Sequence, residues 1–228
     1  MKQLVSMLLI AISFAGACRG KPSAIPTGTW KYRLLVNGAD IGSAVFTNSL
    51  SDNRYVSTME MEMNAGYVQN RVRQVTTETR DFRPLSLEVY STMVQNNQVH
   101  KTKTVAKFNG SVVELDTGDA KSTVTIARPF IIEGNYFMNE LIRNGFREGT
   151  VVRNYIYEPS VDTEEPVLMM VKVMGIESVE IRGRSIDLIR LGTSIENLKN
   201  IDSYIDAKGV IHRSVITMLN NRLELILE

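Results

Sequence analysis

Few side chains in this chain of 228 residues have the chemistry of a reactive centre, and their spacing narrows what they can do. There is one cysteine, Cys18, and there are two histidines, His100 and His212. A metal centre needs His, Cys, Asp or Glu gathered at ligand spacing. Each histidine instead sits in its own stretch of alternating polar residues, so both read as solvent-facing side chains and no metal is expected. Three carboxylate pairs, Glu60/Glu62, Glu164/Glu165 and Asp202/Asp206, have the composition of an acid–base couple. Glu60 and Glu62 alternate with Met59, Met61 and Met63, which places both acids on the solvated face of a strand. No G-x-S-x-G, S-x-x-K, H-E-x-x-H, phosphate-binding loop or G-x-G-x-x-G occurs. No catalytic residue is assigned, no cofactor is expected, and the reading is non-enzymatic.

Two further groups carry binding rather than reaction chemistry. Met59, Met61, Met63, Met93, Met169, Met170, Met174 and Met218 all fall in stretches with strand patterning. Soft, flexible thioethers suit a groove that accepts varied apolar molecules, and they equally fill the irregular core of a curved sheet. Met59, Met61, Met63, Met93, Met170 and Met218 are the candidate ligand-lining residues. Arg71, Arg73, Arg80 and Arg83 form the densest basic run, suited to lipid phosphate or to guarding a strand edge against aggregation.

Cys18 is placed by what precedes it. Residues 1–17 have the parts of an export signal: a basic end at Lys2, an apolar run from Leu4 to Phe14, and small residues at Ala15-Gly16-Ala17. As a helix the apolar run measures roughly 20 Å, too short for a hydrocarbon core of about 30 Å. Ala15-Gly16-Ala17-Cys18 resembles the lipobox of bacterial lipoproteins, with Ala15 where that motif most often has Leu. The resemblance implies cleavage before Cys18 and a diacylated cysteine as the first residue. Plain secretion, by cleavage at the same bond, is the alternative. An exported domain that used thiols for stability would carry an even set, so the single cysteine at the cut site favours lipidation. Two or more acyl chains hold a protein durably at a membrane. Arg19 and Lys21 beside them favour anionic headgroups, and a residue other than Asp after the cysteine points to the outer membrane.

Without Lys2 the remaining basic and acidic side chains balance at 25 each, which argues against an electrostatic nucleic-acid binder. Residues 18–28, with Pro22, Pro26 and Gly28, read as a lipidated N-terminus and tether, and residues 29–228 as one domain. From Thr29 the pattern is β. Trp30, Tyr32, Leu34 and Val36 alternate with polar residues, and Asn37-Gly38, Asn96-Asn97 and Asn109-Gly110 supply turns. Tyr67 to Thr79 is a long strand rich in Val and Thr. Asn135 to Asn144, closed by Gly145, is the one helix. Later strands are expected at Thr150–Tyr157, Val167–Met174, Ser178–Arg182, Arg184–Leu191, Ser203–Asp206, Val210–Leu219 and Arg222–Leu227. About a dozen antiparallel strands cannot stay flat. The expected fold is mainly β: a strongly curved antiparallel sheet or open β-barrel, with the helix over its concave face or one end.

A resemblance extends this reading. Trp30-x-Tyr32, Val36-Asn37-Gly38 with Ile41-Gly42, Glu78-Thr79-Arg80 with Arg83-Pro84-Leu85, Phe137 to Leu141 followed by Gly149, Val173-x-Gly175-x-Glu177 and Tyr204 to Val210 are similar to segments of uncharacterised bacterial envelope β-proteins classed as domains of unknown function. That family resembles the open barrel of the periplasmic lipoprotein carriers and of an acceptor that is itself lipidated. The resemblance implies a concave apolar face for acyl chains and carries over no catalytic residue.

Three functions are weighed. The first is a membrane-anchored, non-enzymatic envelope lipoprotein on the periplasmic face, binding a lipid, a lipoprotein or another envelope partner. The second is a structural or assembly protein acting through its sheet edge. The third is an envelope hydrolase joining a histidine to carboxylates.

Overall fold

The computed structural model describes residues 25–66, 68–159, 162–196, 199–218 and 221–228; the signal segment 1–17, Cys18 and the tether as far as residue 24 lie outside the described residues. Among the described residues fourteen strands and one helix follow in order. They are β1 (Gly28–Val36), β2 (Ala39–Ser51), β3 (Arg54–Ala65), β4 (Val68–Thr79), β5 (Pro84–Gln95), β6 (Gln98–Asn109), β7 (Val112–Asp116) and β8 (Lys121–Thr125). After α1 (Asn135–Arg143) come β9 (Val151–Ile156), β10 (Val167–Ile181), β11 (Arg184–Ile195), β12 (Lys199–Ile205), β13 (Ile211–Met218) and β14 (Asn221–Leu227).

All fourteen form a single antiparallel sheet in the order β8-β7-β6-β5-β4-β3-β2-β1-β14-β13-β12-β11-β10-β9. Two meanders are thus laid side by side, joined where Leu34 of β1 faces Leu225 of β14. A sheet this wide accumulates strand twist and rolls up. Its free edges, β8 and β9, share no ladder, so the barrel stays open. The seam is sealed by side chains. Phe108, Phe130 and Tyr157 pack with ring centroids 5.2 to 6.0 Å apart. Beside them the Ile131 N–H donates to the Tyr155 carbonyl, and the Ile131 carbonyl accepts from the Tyr157 N–H.

The inner face is a continuous apolar core. Tyr32, Leu34, Phe46, Met59, Met61, Leu87 and Phe108 from the first meander meet Met169, Val171, Leu191, Ile205, Ile216 and Leu225 from the second. Burial on this scale, at about 25 cal/mol per Å² of apolar surface, is what holds a rolled sheet closed. The expected break between Val167–Met174 and Ser178–Arg182 is absent; β10 runs unbroken for 15 residues. The register shifts between Val173 and Gly175, so Met174 is taken up as a bulge that re-phases the alternation.

Because neighbours are antiparallel, turns alternate between two ends of the barrel. Residues 52–53, 80–83, 110–111, 182–183 and 206–210 lie at one end and residues 37–38 and 96–97 at the opposite mouth, while the 157–166 turn opens at Tyr157, packed on Phe108. Helix α1 plugs the first end. Phe137, Met138 and Leu141, at helical spacing, are fully buried. A Cβ on Gly209 in the β12–β13 turn would stand 2.7 Å from the Met138 sulfur, so the helix bears directly on that turn. Ile25 and Pro26, at the end of the stretch read as a tether, are buried, and the Pro26 carbonyl accepts from Asn48 Nδ2 at 2.9 Å.

Candidate functional site

The first turn of α1 delivers polar side chains into the barrel, where strands β2 to β4 meet them. Asn135 Nδ2 donates to Glu78 Oε1 at 2.7 Å and to Ser57 Oγ at 3.2 Å. Asn135 Oδ1 accepts from Asn48 Nδ2 at 3.1 Å, and Ser57 Oγ donates to Asn48 Oδ1 at 3.1 Å. Just before the helix, Glu133 Oε2 accepts from Thr76 Oγ1 at 2.7 Å, and its Oε1 accepts from the Gly134 N–H at 2.9 Å. Adjacent strand positions Ser57 and Thr76 are cross-strand partners, which is why one helix turn reaches both. The network fastens helix, tether and three strands at a single point.

Two carboxylates sit in this network, Glu78 at 1% exposure and Glu133 at 2%. Burial raises the Glu78 pKa to about 8, and the neighbouring Glu133 charge raises it too, against the lowering by the Asn135 hydrogen bond. At neutral pH Glu78 is therefore largely a neutral acid. Glu78 Oε2 has no hydrogen-bond partner among the described residues. A raised pKa beside a second acid is the signature of general acid chemistry, but here the helix closes the approach. The geometry serves to lock the plug.

Above the network the inner face of β4 continues polar, with Asn70, Gln74, Thr76 and Glu78 all buried and pointing into the barrel. Asn70 Nδ2 and Gln74 Oε1, like Glu78 Oε2, lack partners among the described residues. The methionines beside this strip grade from sealed to open. Met59 faces Gln74 across the β3–β4 ladder and, with Met61, is buried in the core. Toward the mouth, Met63 and Met93 flank Asn70 on either side, and both are half-buried. Asn70 Oδ1 accepts from Ser91 Oγ at 3.0 Å, and its buried amide nitrogen has no partner among the described residues.

The remaining sequence candidates are dispersed. Met170 lies on the outer face, where Arg153 Nε approaches its sulfur at 3.3 Å. Met218 ends β13, and its side chain lies outside the described residues. His100 is exposed opposite Met93. His212 Nε2 sits 3.6 Å from Asp206, whose pKa is lowered by hydrogen bonds from His212 and the Val210 and Lys208 amides against the opposing effect of burial. Glu60 and Glu62 pair across the strands with Arg73 at 3.4 Å and Arg71 at 3.1 Å. Asp202 takes one side of Arg190 at 2.8 Å while Glu177 takes the other. A depression of about 500 Å³ beside the mouth is lined by Ser43, Glu62, Arg71 and Thr92, one cross-strand row facing away from the core. Among the described residues no three His, Cys, Asp or Glu side chains gather at metal-binding distance.

Sequence reading missed Glu78, Glu133, Asn135, Asn70 and Gln74. A signal existed for the β4 members: from Val68 to Thr79 each face carries several polar residues, so whichever face was covered had to bury polar groups.

Against known structures the chain matches a crystal structure of a β-barrel-like protein of domain of unknown function DUF1849 from Brucella abortus. The TM-score is 0.63 at 12% identity, over 88% of this chain and 95% of that one. A DUF1089 family protein from Pseudomonas aeruginosa matches at TM-score 0.38 and 10% identity, over 86% and 92%. LprF from Mycobacterium bovis matches at 0.23 and 13%, over 88% and 85%. No family model and no curated protein matches the chain. The first of these likenesses establishes the fold, an open barrel shared with an uncharacterised protein.

Proposed function

We propose that this is a non-enzymatic, lipid-anchored protein of the bacterial cell envelope, whose open mouth holds an apolar molecule with a hydrogen-bonding head. One observation carries the reading: half-buried Met63 and Met93 flank Asn70, only 3% exposed, whose amide nitrogen has no partner among the described residues. A buried donor without a partner costs on the order of 1–3 kcal/mol, and a ligand oxygen there would recover it. Thioethers on both sides offer adaptable apolar contact. Buried apolar side chains from both meanders cluster in the body of the barrel, so the ligand is met at the mouth and not threaded through the core.

Organic extraction of the purified mature protein followed by lipid mass spectrometry tests this. A co-purifying amphiphile is expected, and Asn70→Leu or Met63→Asp together with Met93→Asp should lower its yield about tenfold or more. Repeated recovery of nothing from the parent protein overturns ligand binding.

A second reading, assembly through a sheet edge, has its own support. Strand β9 and the residues just before it cover β10 as far as Val173, and beyond it Ile176 is 73% exposed at the edge of the sheet. Ile176→Lys should abolish any partner recovered by crosslinking in cells if that edge recruits another chain; unchanged crosslinks would discard it.

A further inference from the structure

Two residues ahead of β1 are built into the barrel. Ile25 is 3% exposed and belongs to the main core, and Pro26 is buried as well. The Pro26 carbonyl accepts from Asn48 Nδ2 at 2.9 Å, and the Ile25 backbone reaches the Tyr55 hydroxyl.

The side chains that hold this segment also hold α1. Asn48 Nδ2 donates a second time, to Asn135 Oδ1 in the first turn of the helix, at 3.1 Å. Tyr55 stacks on Phe82 with centroids 5.9 Å apart, and Phe82 meets Tyr136 of α1 edge-on at 6.2 Å. Phe82 has φ +63°, an outlier for a bulky side chain. Such strain persists where the surroundings over-determine it, and here the ring is gripped between Tyr55 and the helix. An amide bridge and an aromatic bridge therefore run from the same two residues of chain to the same turn of α1.

We propose that Ile25 and Pro26 form a strap that keeps α1 seated, so that lifting the strap unseats the helix and opens the plugged end of the barrel. Segments held by few contacts open below the free energy of global unfolding, and lifting this one withdraws Ile25 from the core and an acceptor from Asn48. The device is separate from ligand binding at the mouth and works whether or not Cys18 is acylated. Any pull on the chain upstream of Ile25 acts on it.

Native-state amide exchange of the mature full-length protein at pH 6, where Glu78 stays protonated, tests this. In the parent, residues 137–141 of α1 should exchange faster than residues 213–217 of β13, the mark of a local opening. Ile25→Ala should quicken the helix about tenfold or more, because the contacts it deletes are those the opening must break. Ile216→Ala, well along β13 from the turn that bears on α1, should quicken β13 and leave the helix rate unchanged. Should Ile25→Ala not fold, Ile25→Val carries the same prediction at several-fold. A helix that exchanges no faster than β13 in the parent, one indifferent to the change at Ile25, or one that responds equally to Ile216→Ala overturns the proposal.

Discussion

Glu78→Gln should make this protein more stable at pH 9 than the parent and leave it nearly unchanged at pH 5. Glu78 has its pKa raised to about 8 by burial and by Glu133, from an ordinary value of 4.5. Between those two values the folded state binds a proton that the unfolded chain has released. The parent is therefore most stable below about pH 4.5 and loses stability as pH rises through 8, with no further loss from this group above it. A shift of this size corresponds to on the order of 3–5 kcal/mol across the window. Glutamine copies the neutral acid, still accepts from Asn135 Nδ2, and cannot ionise beside Glu133. Thermal unfolding followed from pH 5 to 9 should show a falling Tm for the parent and a flatter profile for the variant. Equal slopes would remove Glu78 from the account. Amide exchange at residues 135–141 should quicken in the parent at high pH, since the same network holds the first turn of α1.

The second large effect is expected at Gly42. Here β2 carries a bulge: Gly42 faces Leu34, Asp40 faces Leu35, and Ile41 is the extra residue between them. The backbone has φ +147°, and a Cβ would stand 2.0 Å from the Glu62 carbonyl oxygen. That atom belongs to the β3 backbone, so no rotamer change relieves the clash and the β2–β3 ladder must open. Overpacking and backbone strain together put Gly42→Ala at about 3–5 kcal/mol of lost stability. Gly38→Ala is the matched control. Its φ is also positive at +83°, but nothing lies within 4 Å of its Cβ, so only a conformational cost of about 1 kcal/mol applies. Urea unfolding of the two variants separates steric from conformational cost; similar midpoints would show that the close approach is absent in solution. Since Gly42 faces Met63, the alanine should also loosen the mouth.

How far these features could be read in advance varied by element. The outer and inner faces of β3 were legible because Met59, Met61 and Met63 alternate with Glu60 and Glu62, and the acids indeed pair outside with Arg73 and Arg71. Strand β4 was legible as a strand but not as a polar lining. Its inner face mixes Val68 and Val72 with Asn70, Gln74, Thr76 and Glu78, so the polar residues outnumber the apolar ones that mark the covered side. Glu133 and Asn135 stand at a loop–helix junction with no periodic pattern to read, and they gain meaning only from the strands they reach. Met170 shows the converse: it shares residue type and strand context with Met169, yet one faces the core and the other Arg153.

By itself the amino-acid order determined the antiparallel strands, the turns, helix α1 and the curvature that so many strands require, because each follows from local dihedral preference and short-range alternation. Only the tertiary structure decided that α1 stops one end and that two carboxylates are buried beneath it. Those outcomes depend on how the sheet rolls and where β1 meets β14, a pairing between residues almost the whole chain apart. Burial and electrostatic environment are set by that closure, and no local pattern encodes it.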